Sequence, residues 1–241
     1  LAVGLFIATG PPSVAGAEPT APIQAALAHP ERSEADRARD KHRRPAEVLA
    51  LVGVEPKMRV ADLMSGSGWY TEVLARIVGP QGRIYAQNNR ISAQVYGTAL
   101  ARRLEGSRLP QVVVLDRELE NLGLPDGYLD AALMVQFYHD TFAMEVDRVA
   151  MNRGIFNSLK PGGVFCVVDH RAQRGSGARD AANLHRVDPE MVKQEVLAAG
   201  FVLEAASDVL SNPTDDHTLS VFDESIRGDT DRFILKFRRP R

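Results

Sequence analysis

The sequence predicts an α/β fold, with a mostly parallel sheet and helices on both faces. Three observations carry that expectation. Met58-Arg59-Val60-Ala61-Asp62-Leu63 is a short, mostly apolar run, Gly66-Ser67-Gly68 is a turn, and Tyr70, Val73, Leu74, Ile77 and Val78 then recur at i, i+3, i+4, i+7 and i+8, one stripe of a helix. Further short apolar runs alternate with helical stretches down the chain, the order that places a parallel sheet between helices. The last two runs, residues 201–209 and 232–237, have no helical pattern between them, so they pair antiparallel at the sheet edge.

At 241 residues the chain is long enough for one large domain with a sizeable core. Its 44% hydrophobic and 25% charged residues lie in the ordinary globular range. The formal charge of -2 gives no basic field for nucleic acid or an anionic membrane. The single cysteine, Cys166, excludes an intramolecular disulfide, and within Val164-Phe165-Cys166-Val167-Val168 it reads as a small buried hydrophobe.

In order, residues 1–8 are nearly all apolar, and Ala15-Gly16-Ala17 follows like a small-residue cleavage site. This is the pattern of an export signal, too short to span a bilayer; a disordered segment rich in Pro, Ala and Gly is the other reading. The expected organisation is a signal-like or disordered 1–30, then one domain over 31–241 with a helical amino-terminal extension. The mixed-charge run from Glu31 to Arg44 reads as a solvated helix face, with Ser33 and Asp36 marking a start, and Pro45 opens another helix that Gly53 ends. Gly79-Pro80-Gln81-Gly82 stops the helix after the Gly turn, and Arg83-Ile84-Tyr85-Ala86-Gln87 is a second strand. Residues 91–104 carry apolar residues at Ile91, Val95, Ala99, Leu100 and Leu104, which suits a crossover helix, and Gln111-Val112-Val113-Val114-Leu115 is a buried strand. Ala131-Ala132-Leu133-Met134-Val135 is the fourth strand. A helix over about 144–159 follows, with Val146, Val149, Ala150, Phe156 and Leu159 inward, before Lys160-Pro161-Gly162-Gly163 breaks the chain and 164–168 forms the fifth strand. Residues 172–182 read as a mobile flap, ahead of a helix capped by Asp188, opened by Pro189 and stopped at Gly200. His217, in a turn, reads as surface.

In open α/β sheets ligands lie beyond the carboxyl ends of the strands. There, Gly66 and Gly68 let a ligand press on the main chain, and the first amides of the following helix point at it. The loop Gln136-Phe137-Tyr138-His139-Asp140 is the most chemically loaded in the chain; alternatively Phe137 and Tyr138 pack while His139 and Asp140 cap the next helix. The fifth strand ends at Asp169-His170-Arg171.

With Asp62 four positions ahead of Gly66, the pattern Asp-x-x-x-Gly-x-Gly resembles the first motif of class I S-adenosylmethionine-dependent methyltransferases, and Leu-Lys-Pro-Gly-Gly before an apolar strand resembles another of that family's landmarks. The likeness runs from about Val48 to the end. It is nearest to bacterial predicted methyltransferases with a Gly-rich turn followed by Trp-Tyr-Thr-Glu, many with export signals. It implies a Rossmann-like, mostly parallel seven-stranded sheet with an antiparallel last strand, S-adenosylmethionine as cofactor, and methyl transfer to an unidentified small-molecule or protein acceptor. Cofactor contacts are implied for Asp62, Met64, Ser65, Gly66, Ser67, Gly68, Tyr70 and Gln136. Asn88 stands where the family has the carboxylate that takes the ribose hydroxyls, and Asp116, with Arg117, where an acidic residue binds the adenine amine; a loop cap is the other reading of Asp116. Preceding helices that close over the cofactor would bring His42, Arg43 and Arg44 near the ligand, solvated surface being the alternative.

In such enzymes the sulfonium makes the methyl electrophilic, so transfer depends on proximity and orientation. For a hydroxyl or amine acceptor, His139 is the expected base, Asp140 orients it, and His170 is the alternate. Tyr138, His185 and Arg186 are expected to meet the substrate. A metal reading, with Asp140, Asp169, His170, His185 and Asp188 around a divalent ion, lacks dense ligand spacing, and no metal site is expected. Thr71 at the place of a third glycine, together with Asn88, argues against a nicotinamide enzyme. Met64 at the family's first glycine, Asn88 for a carboxylate, and an export signal support one alternative, an exported, catalytically inactive ligand-binding protein of the same fold. The expected partner is a small molecule, without nucleic acid or a membrane span, in the periplasm or secreted if the signal holds and in the cytoplasm otherwise.

Overall fold

The computed structural model describes residues 18–241, so the export-signal reading of residues 1–17 lies outside the described residues. The amino-terminal extension comprises α1 (Ala21–Leu27), α2 (Glu34–Ala38), α3 (Asp40–Arg43) and α4 (Pro45–Val52), so it begins before residue 31: residues 18–30 are not the disordered segment expected, because Ile23 and Ala26 of α1 pack into the core. The sheet region follows as β1 (Arg59–Leu63), α5 (Trp69–Val78), β2 (Arg83–Asn88), α6 (Arg90–Leu104), β3 (Val112–Asp116) and β4 (Leu129–Val135). Then come α7 (Asp140–Ala143), α8 (Arg148–Ser158), β5 (Leu159–His170), α9 (Ala181–Leu184), α10 (Pro189–Ala198), β6 (Val202–Ser207) and β7 (Arg232–Arg238).

The seven strands run in the order β3-β2-β1-β4-β5-β7-β6. β3 to β5 are parallel, while β7 lies antiparallel between β5 and β6. Strand order reverses between β1 and β4, so the turn after β1 and the loop after β4 open into one crevice, where open α/β sheets take their ligands. One apolar cluster joins α1, α4 and α5 to the sheet; the other joins α8 and α10 to its opposite face. Tyr70, Val73, Leu74, Ile77 and Val78 are all buried, which for a fully buried large apolar side chain is worth roughly 1.5–3 kcal/mol.

Local punctuation acts as expected. Ser33 accepts from the Asp36 amide at 3.0 Å, Asp188 caps α10 through the Glu190 amide, and Gly53 ends α4 with φ +80°. Three further expectations are corrected, and the apolar stripe of α6 is largely uncovered: Ile91 and Val95 are exposed, and its buried residues are Ser92 and Leu100. β3 is an edge strand with Val113 and Val114 partly in solvent rather than a buried one. The helix expected from 144 starts only at Arg148, capped by Asp147, and Val149 faces solvent. Finally, Lys160-Pro161-Gly162-Gly163 does not interrupt the chain; β5 runs through it, with a register shift against β4 between Leu129 and Ala131.

The extension is held down by charge. Glu72, buried on α5, meets Arg76 (2.8 Å), Arg103 (2.5 Å) and Arg108 (2.8 Å), and Arg103 also pairs with Asp36 of α2 at 2.7 Å. Trp69 Nε1 donates to the Asp36 carbonyl. Thus α2, the start of α5 and α6 are locked around the Gly turn.

Candidate active site

A cavity of about 420 Å³ opens at the carboxyl ends of β1 and β4. Asp62, Met64, Ser65, Gly66, Ser67 and Tyr70 line one side, Gln136, Phe137, His139, Asp140 and His170 another, and Arg39, Arg43, Tyr96, Phe222 and Arg227 lie around it.

The two glycines of the turn do different work. A Cβ on Gly66 would meet only the Tyr96 ring, at 3.9 Å, so main chain faces open cavity there. A Cβ on Gly68 would come within 2.7 Å of Leu100 Cδ1; that glycine makes room for α6, not for a ligand. The amides of Met64, Ser65, Gly66 and Gly68 are bonded inside the protein, to Gln87 Oε1, the Gln87 carbonyl, Asn88 Oδ1 and the Ser65 carbonyl. The amino end of α5 has no side-chain cap, so its dipole and leading amides favour an anionic group. Met64, at the family's first glycine, takes the same left-handed backbone (φ 50°). Thr71, where a dehydrogenase has a third glycine, donates to Asp62 at 2.6 Å. Burial pushes the Asp62 pKa up to about 6 despite that bond.

On the opposite wall, Asp169 is fully buried and fixes His139 twice, through Nδ1 (2.7 Å) and the backbone amide (2.8 Å). The remaining ring nitrogen, Nε2, lies 3.3 Å from Asp140 Oδ1, and His185 Nδ1 reaches that same oxygen at 3.0 Å. Burial alone would lower the His139 pKa, but Asp169 and Asp140 outweigh it and raise it to about 10. Both ring nitrogens of His139 are thus engaged by carboxylates that favour its protonated form, and Asp169 as well as Asp140 orients the ring. Burial works to raise the Asp140 pKa, but its interactions with His139 and His185 outweigh it and hold the carboxyl below the usual range. His170 stays neutral, its pKa driven well down by burial and by His139, Arg232, Arg186 and Arg43, with Nδ1 against Thr230 Oγ1 at 2.8 Å.

Several expected residues lie elsewhere. Tyr138 is in the core, donating to Glu195 and accepting from Asn152, and does not face the cavity. Arg186 is fully buried, paired with Asp215 at 2.9 Å and bonded to the Leu219 carbonyl, so it anchors the loop between β6 and β7 instead of meeting substrate. Asn88 is buried, its amide engaged by Gly66 N, Gly66 O and Ser65 Oγ. Asp116 and Arg117 line a separate recess with Arg90, Ala93 and Gln94, across the first turns of α6. The ribose and adenine contacts implied for Asn88, Asp116 and Arg117 are thus not presented to the cavity. Of the extension's basic residues, Arg43 lines it, stacked over Trp69 at 4.8 Å, while His42 pairs with Asp229 and Arg44 with Glu47. His217 is tied to Asp231 at 2.9 Å. Arg39, Tyr96, Phe222 and Arg227 were not anticipated; the apolar Leu219-Ser220-Val221-Phe222 within an otherwise polar loop was the available signal.

Residues 61–167 match a family model described as a methyltransferase domain. A ubiquinone/menaquinone biosynthesis C-methyltransferase of Ectopseudomonas mendocina is 28% identical over 121 residues, 50% of this chain and 45% of that protein. The corresponding protein of Teredinibacter turnerae is 26% identical over 57% of this chain and 53% of its own length. The chain spans about half the length of the curated relatives it matches. Among solved structures, a SAM-dependent methyltransferase from Aquifex aeolicus superposes with TM-score 0.58 at 18% identity, covering 83% of this chain and 98% of that one. The [4+2]-cyclase SpnF superposes at 0.62 and 19% identity, covering 96% and 99%. The structural neighbours establish the fold, a Rossmann-like methyltransferase fold. With the domain match they support a class I methyltransferase, and S-adenosylmethionine is the cofactor they indicate.

The residues present fit the amino-acid half of that cofactor: open main chain at Gly66, the uncapped amino end of α5 for its carboxylate, and Asp62 for its ammonium. They do not fit the adenosine half as they stand, because Asn88 is engaged by the turn and α6 separates Asp116 from the cavity.

Proposed function

We propose that the chain methylates a small acceptor carrying an acidic or readily ionised group. The observation that carries this reading is the single cavity in which the Gly turn faces the His139–Asp140 wall beneath Arg39, Arg43 and Arg227. S-adenosylmethionine, when bound, supplies a methyl activated by its sulfonium. Gly66, Asp62 and the amino end of α5 orient it. The three arginines outnumber Asp62 and Asp140, so the lining favours an anion. The positive lining stabilises a developing negative charge on the acceptor, and Asp140 is the carboxylate at the wall within reach of its proton. Phe137 and Phe222 supply an apolar edge for the acceptor's carbon skeleton.

Calorimetry with S-adenosylmethionine and S-adenosylhomocysteine, followed by transfer of a labelled methyl to matched acidic and neutral acceptors, tests the reading. Carbon acceptors belong in the panel, because the partial relatives are named C-methyltransferases. Binding of both nucleosides with label confined to acidic acceptors is expected. No binding of either overturns the enzyme; equal labelling of neutral acceptors overturns the acidic class.

A further inference from the structure

We propose that His139, Asp140 and His185 form a binding site for a divalent transition-metal ion of the Zn²⁺ class at the wall of the cavity. One ligand atom from each residue lies within 4.8 Å of the other two. The observed separations from Asp140 Oδ1, 3.3 Å to His139 Nε2 and 3.0 Å to His185 Nδ1, fall in the span of neighbouring donors around one ion: metal–ligand lengths of about 2.0–2.2 Å place such donors roughly 2.8–3.1 Å apart at right angles and roughly 3.3–3.6 Å apart at the tetrahedral angle. Two imidazoles with one carboxylate is a donor set that suits Zn²⁺ or Fe²⁺ and leaves coordination positions open.

The surroundings are built for ligation. Asp169 bonds His139 Nδ1 and thereby aims Nε2 at Asp140, the carboxylate–histidine support that orients metal-bound imidazoles. His185 is held with a left-handed backbone (φ 55°), an unfavourable conformation of the kind that gathers at functional sites, and Phe222 packs on its ring at 4.7 Å. His139 and Asp140 line the cavity, so open positions on the ion would face the acceptor. In that role, which rests on the function proposed above, the ion would displace the proton from His139 Nε2, supply the positive charge in its place, bind an acceptor oxygen and ease loss of its proton to solvent.

The test uses untagged full-length chain stripped with chelator, titrated with Co²⁺ by visible absorption and with Zn²⁺ by calorimetry. One equivalent should bind, with the intense visible bands of a low-symmetry Co²⁺ site. Asp140→Asn and His185→Ala should each weaken binding about tenfold or more, within the range seen when metal sites lose a supporting group. Circular dichroism of both variants should stay unchanged, and S-adenosylhomocysteine affinity measured on the metal-free wild-type chain separates failure of the metal site from failure of the methyltransferase reading. His42→Ala, an exposed histidine paired with Asp229, should bind like wild type. No binding by wild type, or equal loss in His42→Ala, overturns the site; so does undiminished binding in both ligand variants.

Discussion

Substituting alanine at the two glycines of the turn should separate fold from ligand. At Gly68 the backbone is left-handed (φ +81°), which for an L-residue costs about 1–2 kcal/mol. The new Cβ would also stand 2.7 Å from Leu100 Cδ1 and 3.2 Å from Arg103 Cδ. Leu100 is buried and can yield only partly, so overpacking adds about 1 kcal/mol or more, for a total of roughly 2–3 kcal/mol. At Gly66 the backbone penalty is similar (φ +56°), but the Cβ meets only Tyr96 at ordinary contact distance, so the loss should stay near 1 kcal/mol. That methyl nevertheless enters the cavity where the cofactor's amino-acid end would lie. Gly66→Ala should therefore unfold in urea close to wild type yet bind S-adenosylhomocysteine at least tenfold more weakly, while Gly68→Ala loses two to three times as much stability. Equal destabilisation by the two, or full affinity in Gly66→Ala, would refute the division of labour.

Three further outcomes follow from buried polar groups. Asp62 has its folded pKa raised from 3.8 to about 6, so it does not penalise the fold below about pH 4, and the penalty grows as pH rises to 6, reaching about 3 kcal/mol above that. Asp62→Asn should accordingly be more stable than wild type at pH 7.5 by denaturant unfolding, with the difference vanishing near pH 4; a difference independent of pH would count against burial as the cause. Glu72→Gln weakens three arginine pairs beneath the extension and should cost up to about 3 kcal/mol, seen as a lower Tm with S-adenosylhomocysteine affinity less affected than by Gly66→Ala. Tyr138→Phe loses bonds to Glu195 and Asn152 and should cost about 1–2 kcal/mol in urea unfolding while leaving methyl transfer intact; a selective loss of turnover would return Tyr138 to the substrate.

What the sequence made legible was local chemistry. Ser33, Gly53, Asp188 and Pro189 mark helix ends because capping acts within a few residues, and the run 58–78 showed a strand, turn and helix because each has its own period. Exposure was less legible. A stripe such as Ile91, Val95 and Ala99 says that a face is apolar, not whether a neighbour covers it, and α6 lies beside an edge strand that offers little cover. Side-chain direction in the loaded loop was hidden as well. Gln136 adopts a left-handed backbone (φ 56°), and beyond it Tyr138 enters the core while His139 and Asp140 reach the cavity. The decisive pairs, His139 with Asp169 and Arg186 with Asp215, join residues about thirty positions apart, and only the strand order brings them together.

The two halves of the crevice impose different demands on α6. Its carboxyl-terminal half is pinned: Leu100 fills the space before Gly68, and Arg103 bonds Ser67 O, Asp36 and Glu72. Its first turns carry exposed Ile91, Val95 and Tyr96 and bury only Ser92; they are held by the Asn89 cap on Ser92 and by the Arg90 amide bonding Glu118, so displacing them exposes little apolar surface that is not already in water. Those turns are what separate Asp116 from the cavity, and Asn88 lies just before them. Entry of an adenosyl group past Met64–Gly66 would have to be accommodated by residues 90–96, the loosely held part of α6, while 100–104 stay fixed. Amide hydrogen exchange should show S-adenosylhomocysteine changing protection at 88–97 and 116–118 but not at 100–104. An unchanged 88–97 in a chain that binds the nucleoside would mean that the adenosine is held outside this crevice, and the shared cavity would then serve the acceptor alone.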